Sequence, residues 1–262
     1  MTGMVAGRIA IAAAATWAVH LSAAQGTRPL PDAASFFAET QKNLARSTQI
    51  QYRYAYRERR TELHMNPFGR MGTGEVRLYQ ITPGAEDRVY FRHLLQRSGK
   101  PVTGSEPERQ ERRPTTGRSL ADVVATLRFT LARRETVNGR DTILVQFEPR
   151  PDARPQTRQG SIAKVLKGTI WVDEAAREVI RAEAVAIDNV SFGAGIVARL
   201  NEGAHVSMAR EQVDDGVWMP TEVRMKGSGR ALLLRSLNID YFIEWFDYRL
   251  PAAPASGGAS GR

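Results

Sequence analysis

Residues 168–187 read GTIWVDEAAREVIRAEAVAI, two strand-like segments on either side of a turn. Gly168–Val172 and Glu178–Ile187 are both rich in β-branched residues, which favour strands. Asp173 begins the short segment between them, and aspartate favours tight turns. The stretch therefore predicts an antiparallel hairpin.

Further hairpins are predicted on both sides of this one. Their turns are marked by Pro83-Gly84, Asn138-Gly139 and Asp214-Asp215-Gly216. Asn138-Gly139 is the strongest signal, because a type I′ turn requires positive φ at both central positions. Successive hairpins predict an antiparallel sheet of about ten strands. Besides the two segments above, the predicted strands are Val76–Thr82, Arg88–Gln96, Arg128–Thr136, Thr142–Glu148, His205–Val213, Val217–Lys226, and one or two closing strands in Arg230–Ser236 and Ile239–Tyr248.

A long first strand is predicted from Gln49 onward, where the hydrophobic period changes to two. Tyr52, Tyr54 and Tyr56 would share one face of it. Ordinary sheet packing is one interpretation of this aromatic face. The other is that it lines a lipid cavity, with the hydroxyl groups at a wet rim.

Helical patterns are few. Asp32 can cap a helix over Ala33–Arg46, whose apolar stripe includes Phe36 and Phe37. Helices are also predicted for the charged stretch Glu106–Arg113, for the amphipathic stretch Ser119–Leu127, and as a single turn for Ser161–Leu166.

A long antiparallel sheet must cover its apolar face, either by closing into a barrel or by packing helices against it. We therefore predict a mainly β (α+β) fold, a curved antiparallel sheet or unclosed β-barrel with helices covering the concave face. An interior that is not fully packed becomes a ligand cavity.

The first 24 residues have the pattern of a secretory signal peptide. Arg8 precedes the apolar run Ile9–Leu21, and Ser22 and Ala24 suit a cleavage site. The run is shorter than the roughly 20 residues of a membrane span. An uncleaved anchor or a buried Ala-rich helix is the alternative. We expect residues 1–24 to be the signal, 25–250 to form a single domain in the periplasm, and 251–262 to be a disordered tail.

The composition narrows the function classes. The chain has no cysteine, which excludes disulfides, thiol chemistry and a lipid attachment site. Its net charge of +9 would suit nucleic acid, but export favours an acidic membrane surface instead. We therefore expect a monomer with no lipid anchor and no nucleic-acid partner.

Catalytic patterns are not found in the sequence. His64, His93 and His205 lack metal-ligand spacing, and no G-x-S-x-G motif is present. Asp214-Asp215 precedes Gly216, as expected of a hairpin turn. We expect no metal site, no cofactor and no enzymatic activity.

Two stretches carry a resemblance to a known family. Residues 168–183 resemble a "G-x-I/L-W-V-D, short turn, V-I-R-x-E" hairpin, and residues 215–223, DGVWMPTEV, resemble a "D-G-x-W-x-P" turn and strand. On these motifs the chain is similar to the LolA/LolB/RseB group of bacterial periplasmic lipoprotein carriers and related sensors. The resemblance implies an unclosed β-barrel with a helical lid over an apolar cavity for acyl chains.

It also implies a non-catalytic carrier or binding protein for a lipid-modified protein or another lipid-like ligand, with a membrane-protein donor or acceptor as transient partner. A sensor or interaction scaffold of the same fold in envelope stress, and an exported hydrolase, remain alternatives. In the inserted segment 99–117, Glu106–Arg113 is either a solvated charged helix or loop, or a lid or docking surface. In the second case Arg109, Arg112 and Arg113 would meet anionic lipid head groups or a membrane complex. The cavity-lining residues that we predict are Phe36, Phe37, Tyr52, Tyr54, Tyr56, Trp171, Trp218, Phe242 and Trp245.

Overall fold

The computed structural model describes residues 28–65, 71–86, 88–102, 108–112, 116–192, 198–231 and 235–251. The predicted signal peptide and residues 252–262 of the predicted tail lie outside these ranges. The described elements are α1 (Ala33–Gln51), β1 (Ala55–Met65), β2 (Met71–Pro83), β3 (Val89–Arg97), β4 (Lys100–Pro101), β5 (Arg109–Arg112), α2 (Thr116–Thr126), β6 (Leu127–Val137), β7 (Arg140–Pro149), α3 (Arg158–Ala163), β8 (Leu166–Asp173), β9 (Val179–Ala186), β10 (Val190–Phe192), β11 (Ala198–Leu200), β12 (His205–Asp214), β13 (Val217–Ala231) and β14 (Arg235–Arg249).

One large antiparallel sheet dominates the fold. In the described ranges it has twelve strands in the order β4-β3-β2-β1-β14-β13-β12-β9-β8-β7-β6, with β5 paired to β3, and it does not close on itself. Strands β10 and β11 form a separate hairpin. The predicted fold class, a mainly β protein with an unclosed antiparallel sheet and a few helices, is confirmed.

The last strand, β14, lies between β1 and β13, so that the first and last strands of the chain are neighbours. Cross-strand register aligns Ala182, Met208, Val223, Ile243 and Arg60 in one row across β9, β12, β13, β14 and β1. Directly opposite residues of antiparallel strands share a face. We call the face that carries this row the inner face, because the helices pack against it at the Ala182 end.

Two apolar clusters stabilise the fold. Phe36 of α1 is only 1% exposed and packs on a cluster that includes Ile143 of β7 and Val172 of β8. A second cluster groups Tyr56 of β1 with residues of β2 and β3, among them Ile81. Helix α1 therefore covers the β7–β8 part of the sheet, whereas the tyrosines pack at the other end.

A buried ion pair joins α1 to the sheet. The side chains of Glu178 and Arg210 are 2% and 4% exposed, and Arg210 Nη1 lies 2.9 Å from Glu178 Oε2. Ser47 Oγ of α1 donates to Glu178 Oε1 at 2.8 Å. Arg210 also donates to the carbonyl oxygens of Val179 and Trp218, at 3.0 and 3.1 Å. Burial lowers the pKa of Arg210, and the charge of Glu178 opposes this shift.

Local signals placed several elements correctly. Asp32 Oδ1 accepts a hydrogen bond from Ser35 N at 2.9 Å and caps α1. Asn138 and Gly139 have φ values of 51° and 76°, so both turn positions have the positive φ that a type I′ turn requires.

The predicted start of the first strand at Gln49 was wrong. Helix α1 continues to Gln51, Tyr52 is its C-cap, and β1 begins at Ala55. The period-two pattern over 49–54 is overridden by tertiary contacts, since Ser47 is drawn to the buried Glu178. Thr48 Oγ1 also donates a hydrogen bond to the carbonyl oxygen of Leu44, so the hydroxyl of Thr48 finds its partner within the helix.

The predicted helix over Glu106–Arg113 was also wrong where the structure describes it. Arg109–Arg112 is strand β5, which pairs with β3. Backbone hydrogen bonds to β3 outweigh the local helical preference, and Arg92 of β3 forms an ion pair with Glu111 at 3.3 Å. The closing strands differ as well, because β13 extends to Ala231 and β14 begins at Arg235.

We predict that Glu178→Gln lowers the free energy of unfolding by about 3 kcal/mol, because it leaves the guanidinium of Arg210 buried without a counter-charge. Urea denaturation measures this change. Glu183→Gln, five residues further along the chain in β9, is the matched control. Its ion pair with Arg181 is about half exposed, so we expect less than about 1 kcal/mol. Equal losses in the two variants would contradict the role given to the buried pair.

Candidate functional site

A cavity of about 580 Å³ lies between the three helices and the inner face of the sheet. Its roof consists of α1, α2 and α3, and its floor of β6, β7, β8, β9 and β12. The lining is mainly apolar, with a few polar side chains such as Thr40 and Gln159. The apolar lining residues are Phe37, Leu44, Leu120, Val123, Val124, Leu127, Phe129, Phe147, Ile162, Ala163, Leu166, Ile170, Val179, Ala182, Ala184, Val206 and Met208.

Small residues of the sheet leave space at the centre of the cavity. Ala182 and Ala184 of β9 alternate with Arg181 and Glu183, which point to the other face. Gly168 lies opposite Ala184, and a Cβ atom at Gly168 would meet Glu183 O at 1.9 Å. The close approach of the two backbones therefore requires glycine there, and the short side chains leave space below the helices.

Helices α2 and α3 form a unit that Asp122 holds together. The carboxylate of Asp122, on α2, accepts hydrogen bonds from Gln156 N at 3.0 Å, from Thr157 N at 2.7 Å and from Thr157 Oγ1 at 2.6 Å. Thr157 in turn caps α3 by accepting from Gly160 N at 3.1 Å. Helix α1, by contrast, is attached to the sheet through Ser47 and through Asn43, whose Nδ2 donates to Ala176 O at 3.0 Å.

Of the two phenylalanines that were predicted for the site, Phe37 lines the cavity and Phe36 does not. Phe37 lines the cavity and contacts Phe129 across it, with ring centroids 5.8 Å apart. Phe36 is buried beside it in the core. Tyr52 lies at the C-terminal end of α1.

The remaining predicted residues of the first and last strands lie together, away from this cavity. Tyr54 and Tyr56 pack against Tyr248, with ring centroids 6.5 and 5.2 Å apart. Trp245 packs against the same cluster and donates to Glu58 Oε2 at 3.0 Å.

Trp171, Trp218 and Phe242 each stack against a guanidinium. Trp171 follows the cavity residue Ile170 and so points to the opposite face of the sheet. Phe242 likewise lies on the opposite face from Ile243, and Trp218 is buried. The distances from guanidinium carbon to ring centroid are 5.0 Å for Arg181 on Trp171, 4.9 Å for Arg140 on Trp218 and 4.4 Å for Arg224 on Phe242.

Sequence reasoning missed most of the aliphatic lining. The amphipathic pattern of Ser119–Leu127 was the available signal for α2, whose Val123 and Val124 line the roof. For Met208 and Ala182 no such signal exists, because their face depends on the register of β12 and β9.

Within the described residues, no group of three or more His, Asp or Glu is arranged to hold a metal ion. Among the helices of the same ranges, none combines the length and the apolar character of a membrane span.

No protein-family model and no curated protein matches the chain. Solved structures do match it. One is an outer membrane lipoprotein-sorting protein domain from Vibrio parahaemolyticus, with 13% identity, a TM-score of 0.40, and coverage of 86% of this chain and 96% of that chain. A LolA superfamily protein from Nitrosomonas europaea gives 13% identity, a TM-score of 0.35, and coverage of 86% and 96%. A chain of the MucA/MucB complex of Pseudomonas aeruginosa has 8% identity and a TM-score of 0.28, with coverage of 81% of this chain and 94% of that chain.

These structures come from the group that the sequence resembles. Their TM-scores are 0.40 and below, so we base the proposed function on the cavity of this chain and not on its neighbours.

We predict that Asp122→Ala loosens α3, because three donors lose the carboxylate that accepts their hydrogen bonds. Amide hydrogen exchange in residues 156–163 should speed up, while exchange in β7 and β8 should not change. Asp152→Ala, an exposed aspartate in the loop before α3, is the control. Unchanged exchange in residues 156–163 of Asp122→Ala would contradict the role of Asp122.

A pH dependence follows from the same contacts. The hydroxyl of Thr157 and the backbone N–H of Gln156 hold the pKa of Asp122 below its ordinary value. A carboxylate with a lowered pKa stabilises the fold at pH values above its unfolded-state pKa of about 3.9. This stabilisation is lost as the pH falls through the folded-state pKa. Exchange protection factors in residues 156–163 should therefore be constant from pH 7 to about pH 5 and decrease only in more acidic solution. A decrease already between pH 7 and 5 would contradict this assignment.

Proposed function

We propose that this protein is a non-catalytic binding protein or carrier for an acylated ligand, whose acyl chain occupies the cavity under α1, α2 and α3. The single observation that carries the proposal is a cavity of about 580 Å³ with a mainly apolar lining between the helices and the sheet. Its size lies within the range of small-molecule sites, roughly 300–1,000 Å³.

The energetics support an acyl chain as occupant. Burying apolar surface contributes about 0.8 kcal/mol per methylene group, so ten methylenes contribute about 8 kcal/mol. That free energy corresponds to a dissociation constant of about 1 µM. The sparse polar groups of the lining leave few buried hydrogen bonds to be made, which suits a hydrocarbon better than a polar metabolite.

The contacts of the helices indicate how a ligand would enter. Helix α1 is tied to the sheet through Ser47 and the buried Glu178. The α2–α3 unit is held together internally by Asp122, so it can move as one body on its connections to β6, β7 and β8. We therefore place the movable part of the roof at α2–α3.

We also propose that the protein acts in the periplasm, after export. A soluble periplasmic form without a lipid anchor would carry its ligand between membranes or present it to a membrane protein. The pattern of residues 1–24 and the absence of cysteine support this placement.

Native mass spectrometry of the exported protein, released gently from the cell envelope, tests the proposal directly. We expect an added mass that corresponds to an acylated molecule and that is lost on extraction with organic solvent. A protein that carries no ligand and takes up no acylated compound would overturn it.

We predict that Ala182→Phe weakens binding of a fluorescent monoacylglycerol by at least about tenfold, equivalent to about 1.4 kcal/mol, because the added ring occupies the cavity. Fluorescence titration measures the affinity. Val185→Phe is the matched control, since it adds the same ring three positions along β9 on the opposite face. Wild-type affinity in Ala182→Phe would show that the acyl chain binds elsewhere.

A further inference from the structure

A second, polar pocket of about 480 Å³ lies on the far side of β14 from the apolar cavity. Strands β1, β2, β3 and β5 each contribute one arginine to its wall. Two glutamates also face it. The charged wall residues are Arg60, Arg77, Arg92, Arg109, Glu62 and Glu108.

Carboxylates hold the arginines in place. Arg60 Nε lies 2.9 Å from Glu62 Oε1, and Arg77 Nε lies 2.6 Å from Glu75 Oε1. Arg92 is 3.3 Å from a carboxylate oxygen of Glu111. Glu58, whose side chain is 6% exposed, lies behind the wall at 3.5 Å from both Arg60 and Arg92. Tyr79 contributes a ring that both guanidiniums approach to 5.2 Å. The guanidiniums of Arg60, Arg77 and Arg92 are therefore preorganised, whereas Arg109 lies exposed at the edge of the pocket.

Donors remain available on this wall. A guanidinium has five N–H groups, and each carboxylate contact above uses only part of the set. Fixed guanidinium groups with spare N–H donors recognise phosphate and carboxylate groups particularly well.

The two pockets share the inner face. Met208 lines the apolar cavity, and the same cross-strand row continues through Val223 and Ile243 to Arg60. Val223 and Ile243 are half-buried, so the part of the row between the two pockets is apolar. Three strand spacings separate β12 from β1, a distance of about 14 Å. An acyl chain with one end in the cavity can cover this distance along the row.

We propose that the polar pocket binds the anionic head group, phosphate or carboxylate, of the same molecule whose acyl chain occupies the apolar cavity. This inference rests on the proposed function and specifies its ligand class as an anionic amphiphile. It also assigns a role to Arg109 of the inserted segment, which lies in β5 directly opposite Arg92 of β3.

Three related compounds test the inference: palmitoylglycerol, its phosphate ester palmitoylglycerol phosphate, and glycerol phosphate without a tail. Affinities for the purified protein are measured by displacement of a fluorescent monoacylglycerol and, for glycerol phosphate, by calorimetry. Wild-type protein should bind the phosphate ester about tenfold more tightly than palmitoylglycerol, since only the ester offers a charged group to the guanidiniums. Glycerol phosphate alone should bind far more weakly than either lipid.

Arg109→Gln and Arg77→Gln should reduce this preference to about twofold or less. Arg112→Gln is the matched control. It removes the same charge from the same strand, but its side chain is on the other face and pairs with Glu86. Thermal unfolding of all three variants checks that each folds, and Arg109 lies on a four-residue edge strand where substitution disturbs little else.

The outcomes distinguish the two proposals. If neither lipid binds, the proposed function fails, and the inference fails with it. If both lipids bind equally well to wild-type protein, or if Arg112→Gln loses the preference as much as Arg109→Gln does, the acyl site stands and the head-group site is overturned. Glycerol phosphate binding as tightly as its palmitoyl ester would assign the pocket to free phosphate and would also overturn the inference.

Discussion

The buried ion pair between Glu178 and Arg210 is the interaction on which the cavity depends. A charge pair this far from water must be well coordinated, and Ser47 together with two carbonyl oxygens completes its hydrogen bonds. Because Ser47 belongs to α1, the pair fixes the first helix at a set height over β9 and β12. Leu44, about one turn before Ser47, and Phe37, about three turns before it, then form part of a roof that is held above the sheet.

The inner face divides into two chemical environments along a single sheet. Under the helices, short side chains such as Ala182 leave an apolar space. Beyond β14, Arg60 and Arg92 are held among carboxylates and aromatic rings. An unclosed sheet makes this arrangement possible, because a closed barrel would place both halves around one interior. The inner face therefore has an apolar half under the helices and a charged half beyond β14.

The predictions from sequence succeeded where the determining contacts are local. The Asp32 cap depends on Ser35, three residues away, and the turn at Asn138-Gly139 depends on those two residues alone. They failed at the end of α1 and at β5, where partners distant in sequence decide the structure. Glu178 is 131 residues from Ser47, and β5 exists because β3 offers it backbone partners.

By itself, the sequence determined that the protein is a mainly antiparallel β structure with a few covering helices, because turn residues and alternating patterns act over a few positions. Only the tertiary structure decided where the cavity lies. Tyr54 and Tyr56 do share a buried aromatic cluster, yet it forms with Tyr248, because β14 returns to pair with β1. The cavity instead lies over β9 and β12, and strand order and register set that position through pairings between distant segments. Those pairings have no local sequence signal, and they also place the arginines of four strands around one pocket.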